Sequence, residues 1–439
     1  MKTQIDFYKI IFISIFVFYL NVAYFNRSFV GLKIFEYRLG EYMVFFGLLM
    51  SIYFFFSGNI KIKNNNIKLL YRVIIAMFLF SALINNANFL NTYTFKSSSY
   101  IWMISYLFLG LHLGKIEFKR SNYYILLGFA ALFSYIFSTG NYPNFIIDFF
   151  KENSDKFQFT KASDSFHLIV ITSLIINLLV ENSNFKLAYV YSISFLYLPL
   201  LIYQSRGSFI GIIIFLIIET YYFRKFIKNN IKPFSLILLL SAICLTIGIF
   251  RISDKTTKEL SEEPVKIISE TTTRIVENKD TVQTFLSFYF TDGRLYSEDP
   301  TANWRLDIWQ DVMNDLSIKN KNFSGYGYNE IIPVMIDGSA PGRLGKDGLN
   351  EHVHNYFFTM ISRGGYIQLF VFLLFYYHLI RFWLSKTKNL RILTYIIPVF
   401  FVSSLDISMD GVHFPFIFFL TLGYILGNAN AILQLGLEK

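Results

Sequence analysis

Uncharged apolar runs of membrane-spanning length recur from one end of this chain to the other, and no other feature restricts its fold as strongly. Ile10 to Tyr24, Tyr123 to Ser138 and Phe234 to Phe250 contain no Asp, Glu, Lys or Arg. A helix needs about 20 mostly apolar residues to cross a bilayer. Inside the hydrocarbon every backbone N–H and C=O must be satisfied within the protein, which leaves helices as the way to use such runs. Only 16% of the 439 residues are charged, against about 25% in soluble domains. The chain is therefore expected to be an all-α integral membrane protein.

Twelve segments fit crossings, at roughly 8–26, 41–56, 69–87, 99–114, 123–139, 165–181, 187–203, 207–223, 234–250, 358–380, 391–405 and 412–430. The expected organisation is a membrane domain over 1–250 with about nine helices, a large hydrophilic loop over 251–355, and about three helices over 356–439. The first segment reads as a retained anchor, because Asn21, Tyr24 and Phe25 stand where a signal peptide would carry small residues.

Charge placement sets the orientation. The formal net charge is +10, yet the stretch 251–351 holds 12 basic and 17 acidic side chains, so the loop is acidic and the excess of positive charge sits in short connections. That pattern argues against nucleic acid as a partner. With the N-terminus in the cytoplasm, short inner loops hold fifteen Lys and Arg against eight in the shorter outer connections. The positive-inside rule then puts both ends in the cytoplasm and the large loop outside. Within that loop Trp304 to Leu316 reads as an amphipathic helix. Leu306, Trp309, Met313 and Leu316 form an apolar stripe, and Asp307, Asp311 and Asp315 an acidic one.

Candidate chemistry gathers on the outer side. Arg206, followed by Gly207, stands at the edge of the eighth segment, as an interfacial anchor or as an anion clamp whose guanidinium fork suits phosphate. Arg305 opens the loop helix, either in a salt bridge to Asp307 or Asp311 or as a second anion ligand. His354, followed by Asn355, precedes the tenth segment, as a structural hydrogen-bonding group or as a general base, since imidazole titrates near neutrality. Gly364 and Gly365 could break or thin the helix that follows, and Gly325-Tyr326-Gly327 marks a turn. The one cysteine, Cys244, lies in an apolar run and excludes a disulfide framework. With no nucleotide-binding fingerprint and no His-Glu-x-x-His, neither cofactor nor metal is expected.

In their order these residues resemble the O-antigen ligase and O-antigen polymerase family. The resemblance rests on Ser205-Arg206-Gly207, on Arg305 four residues before Trp309, on the Gly325-Tyr326-Gly327 turn, and on His354-Asn355 with Gly365 at the family's spacing. Gln368 departs from the pattern. The family has about twelve spans and a large, late periplasmic loop, so the resemblance implies the same partly helical loop here. It also implies a glycosyltransferase of lipopolysaccharide biosynthesis in the bacterial inner membrane, with its active site facing the periplasm. The donor would be an undecaprenyl-diphosphate-linked glycan. The acceptor would be a lipid-linked repeat unit for a polymerase, the slightly favoured branch, or lipid A core for a ligase; a protein-glycosylating ligase belongs to the same group. Arg206 and Arg305 would bind the diphosphate, His354 would be the catalytic base, and Asn355, Gly207 and Gly365 would shape the site, without a metal. The rival reading is a multi-span transporter or flippase of lipid-linked glycans, for which His167, Asn177 and His378 are scattered candidate polar residues.

Overall fold

The computed structural model describes residues 2–56, 65–89, 91–114, 121–139, 142–180, 182–260, 287–337, 340, 343 and 351–429. Each of the twelve expected segments falls on helix: α1 (Lys2–Val30), α2 (Leu39–Phe56), α3 (Asn65–Ile84), the pair α5 (Ser99–Trp102) and α6 (Ser105–Leu113), α7 (Ser121–Ser138), α9 (Ala162–Leu179), α10 (Ser183–Gln204), α11 (Arg206–Asn229), α12 (Ile231–Leu260), α14 (Tyr356–Thr387), α15 (Leu393–Ser403) and α16 (His413–Gly427). Short helices α4 (Thr92–Ser97) and α8 (Asn144–Asn153) sit in connections. The loop carries α13 (Pro300–Ile318), preceded by a hairpin of β3 (Phe288–Thr291) and β4 (Arg294–Ser297). A smaller hairpin, β1 (Lys33–Ile34) with β2 (Tyr37–Arg38), joins α1 to α2.

Among the described residues six helices are long and apolar enough to cross a membrane, and five further apolar helices are shorter. The protein is thus a helical membrane protein. Its outer surface agrees with lipid as solvent: α12 exposes Leu236, Leu239, Ile243, Ile247 and Phe250, a load of apolar surface that water would not tolerate. Between helices, close approach replaces the hydrophobic effect. A Cβ on Gly423 of α16 would lie 2.0 Å from the carbonyl oxygen of Leu107 on α6, so only glycine permits this crossing.

Two boundaries differ from the sequence reading. α12 runs ten residues past position 250, because Arg251 to Leu260 keep helical backbone after the apolar run ends. The loop helix starts at Pro300 rather than Trp304, since Asp299 caps it. Its buried face also differs. Ile308, Val312 and Leu316 are fully buried against Ile332, Val334, Met335, Val353 and Ile361. Leu306, Trp309 and Met313 are only partly covered. This second core fastens the loop to the first turns of α14.

Candidate functional site

The turn from α10 into α11 takes a single residue. Ser205 is extended (φ −159°), and its Oγ accepts from the Ser208 N–H at 3.3 Å, capping α11. Arg206 is then the first helical residue, and it pairs with Asp299. Gly207 lets the helix start pack closely, since a Cβ there would lie 3.3 Å from Leu405 in the connection between α15 and α16.

Asp299 does two jobs. Its Oδ1 accepts from the Ala302 N–H at 2.7 Å, and Pro300 supplies the first residue of α13 with its fixed φ. One carboxylate therefore ties the start of α13 to the start of α11. Six residues after Asp299 stands Arg305. Its two neighbouring acids are already engaged: Arg294 reaches Asp307 at 2.6 Å and Asp311 at 2.8 Å, and Arg343 pairs with both. That disposes of the surface salt bridge as an account of Arg305. Its Nε is buried with no hydrogen-bond partner among the described residues. Burial lowers its pKa, with the Asp406 and Asp299 carboxylates opposing. A withdrawn guanidinium with an unused donor is poised for an anion.

His354 has a left-handed backbone (φ +54°), a strained state for a residue with a Cβ that clusters at functional sites. Asn355 then caps α14, its Oδ1 accepting from the N–H groups of Phe357 at 2.9 Å and Phe358 at 3.2 Å. The peptide before His354 is pinned by Trp309, whose Nε1 donates to the Val353 carbonyl at 2.7 Å. The imidazole meets the Trp304 ring nearly edge-on, with centroids 5.0 Å apart. Burial drops its pKa to about 4; the Arg305 charge adds to the effect and Asp406 opposes it. The ring is therefore neutral at pH 7 and able to accept a proton.

Arg206, Gly207, Arg305, His354 and Asn355 thus converge where the starts of α11, α13 and α14 meet. Gly365 does not line this place. It lies ten residues into α14, about 15 Å along the helix, where φ +73° breaks the helical path. A Cβ there would lie 2.2 Å from the Phe323 backbone. The segment 322–327 crosses the helix at this break: Tyr326 N–H donates to Ser362 O at 2.7 Å, Gly327 N–H to Arg363 O at 3.0 Å, and Tyr366 N–H to Asn322 O at 2.8 Å. The Gly325-Tyr326-Gly327 turn and the Gly364-Gly365 pair form one clasp, which holds the C-terminal end of α13 against α14.

Three charged groups around His354 escaped the sequence reading. Asp406 acts on both His354 and Arg305, while Arg27 and Lys161 add positive charge. Burial lowers the Lys161 pKa and Arg27 adds to that, with Asp406 and Asp164 opposing. Arg27 and Lys161 served only in the orientation count, because their neighbours come from distant segments. Asp299-Pro300 before an amphipathic run was a readable helix start.

Two of the scattered polar residues of the transporter reading, His167 and Asn177, are otherwise engaged. His167 Nε2 lies 3.0 Å from Tyr395 Oη, and Asn177 donates to Glu219, which Arg391 also holds at 2.6 Å. No group of three or more His, Cys, Asp or Glu side chains able to hold a metal occurs among the described residues.

Compared with known families, residues 191–373 match the O-antigen ligase family. That stretch is similar to the O-antigen ligase domain. Arg206, Gly207, Arg305, His354, Asn355 and Gly365 all fall inside the match. Arg27, Lys161 and Asp406, whose charges act on His354, lie outside the matched residues. No curated protein matches the chain.

Proposed function

We propose that this protein transfers a glycan from a polyprenyl diphosphate to an acceptor hydroxyl on the periplasmic side of the inner membrane, as an O-antigen polymerase or ligase. The observation that carries this reading is the half-buried Arg305, whose buried Nε has no hydrogen-bond partner among the described residues, beside a neutral His354 and six residues along α13 from the Asp299 carboxylate that holds Arg206.

In the proposed step the acceptor oxygen forms a bond to the anomeric carbon of the donor sugar while the bond from that carbon to the diphosphate oxygen breaks. His354 takes the acceptor proton. The diphosphate leaves with the bonding electron pair, and Arg206 and Arg305 stabilise the charge that develops on it. Asp299 occupies part of the Arg206 fork, which presents five N–H donors in all. Burial chiefly holds the His354 pKa down and the Arg305 charge adds to it; an arriving diphosphate would offset that added charge, so donor binding would itself strengthen the base. No metal is required in this scheme.

The same reading proposes about twelve crossings, cytoplasmic termini, and a division into 1–250, 251–355 and 356–439 with the middle part outside. Purified protein in liposomes, given undecaprenyl-diphosphate-linked donor with either a lipid-linked repeat unit or lipid A core, tests the proposal directly. Product with the repeat unit identifies a polymerase and product with core a ligase. Absence of product with both, when donor binding is intact, contradicts the reading.

A further inference from the structure

The apolar stripe of α13 is only partly used in packing. Leu306, Trp309 and Met313 line an open groove of about 660 Å³, closed on one side by Phe358 of α14 and on the other by Gly293, Arg294 and Leu295 of the hairpin. That volume falls in the range of small-molecule sites. Trp309 and Phe358 stack at 5.3 Å with 16° between their planes, giving the floor a broad aromatic surface. Polar groups sit at its edges: Asn314 is exposed, and the Gln310 amide is bonded at both ends to the Leu295 backbone, which fixes the hairpin wall. Arg294 adds no net positive charge to the rim, because it pairs with Asp307 and Asp311.

We infer that this groove binds the pyranose rings of the acceptor glycan. An aromatic floor with a polar, charge-compensated rim suits a sugar, whose C–H faces are apolar and whose edge carries hydroxyls. A diphosphate would need uncompensated cations, which lie elsewhere. The groove is joined to the proposed base, since Trp309 Nε1 holds the Val353 carbonyl immediately before His354. It also lies away from the donor's anchor. Trp309 is ten residues from Asp299, about 15 Å along α13, so the groove extends from the His354 side rather than from the Arg206–Asp299 contact. An acceptor laid along it would present its terminal hydroxyl towards the imidazole. This inference rests on the glycan-transfer reading above.

The test uses full-length protein in detergent and a lipid-free repeat-unit oligosaccharide, released from the host's lipid-linked pool by mild acid, with lipid-free core oligosaccharide as the second probe. Neither carries a leaving diphosphate, so each reports only on the acceptor arm. Binding is followed by saturation-transfer NMR and calorimetry. Asn314→Trp fills the groove from an exposed position, and Trp309→Ala removes its floor. Both should weaken binding of whichever probe the wild type takes by about tenfold or more, raise the acceptor KM in parallel, and leave the donor KM within about twofold. Unchanged acceptor binding in Asn314→Trp overturns the inference, as does a rise in donor KM with the acceptor KM unaltered. Because binding is read without turnover, a wild type that binds oligosaccharide in the groove but transfers nothing sinks the transferase reading alone.

Discussion

Replacing Gly365 with alanine tests whether the clasp at residues 322–327 positions the loop helix. Two costs are readable from the geometry. A side chain at φ +73° and ψ −174°, a region essentially restricted to glycine, costs roughly 1–3 kcal/mol for the backbone conformation alone. The new Cβ would also lie 2.2 Å from the Phe323 carbonyl carbon and 2.3 Å from its oxygen, so the clasp must retreat by about 1 Å or more to regain ordinary contact. Three backbone hydrogen bonds tie the clasp to α14, and losing all of them adds about 0.5–1.5 kcal/mol each. The total is about 2.5–7.5 kcal/mol. Gly293→Ala is the control for a side chain at positive φ without crowding, because its φ is +76° and nothing lies within 4 Å of its Cβ. Thermal unfolding in detergent should show a clear loss for Gly365→Ala and a small one for Gly293→Ala. Trypsin should cut faster at Lys319 and Lys321, which lead into the clasp. Transfer should fall by about 10²-fold as α13 shifts relative to His354. Indistinguishable behaviour of the two variants would refute the clasp.

Arg206→Ala and Arg305→Ala should each reduce transfer strongly with near-normal protein in the membrane, and lysine should restore only part of it, because a point charge cannot reproduce the guanidinium fork; full activity with alanine at both would make them interfacial anchors. The kcat/KM profile should stay flat near neutrality and fall as pH drops through about 4, the pKa of His354 in the free protein. Arg305→Met removes a positive charge and should move that limb to higher pH; a limb that stays in place or moves down contradicts the assigned cause. The folded pKa lies below the unfolded value near 6.5, so the folded state binds fewer protons between about 4 and 6.5, and the His354 contribution to stability is lost as pH falls through that window. His354→Gln should flatten this part of the stability curve in thermal-shift measurements. Alkaline phosphatase fused at about residue 280 should be active and at the C-terminus inactive; the reverse pattern would place the site on the wrong side.

The positions of the twelve helical segments were legible because hydropathy needs no tertiary information: a run such as Phe234 to Phe250 has one low-energy use. Segment ends were less so, as α12 shows by continuing helical after its apolar run stops. For the candidate site, residue order singled out Arg206, Arg305 and His354, whose roles are proposals, and glycine spacing singled out Gly365, which lies in a clasp rather than beside them. The buried face of α13 was misread. Ile308, Val312 and Leu316 also repeat at helical spacing, and only the packing of residues 332–335 and 353 decides which stripe is covered. Asp406 and Lys161 could not be found from the sequence, because their influence on His354 depends on segments far apart in the chain.

The central claim is that His354 takes the acceptor proton, and turnover of His354→Gln against His354→Ala measures it most directly. Glutamine keeps hydrogen-bonding capacity but cannot accept a proton near neutral pH. Both variants should lose about 10² to 10⁴ in turnover, with donor binding little changed because Arg206 and Arg305 remain, and chelator in the assay should make no difference. Turnover by His354→Gln close to that of the wild type, or loss of wild-type activity in chelator, would contradict the account.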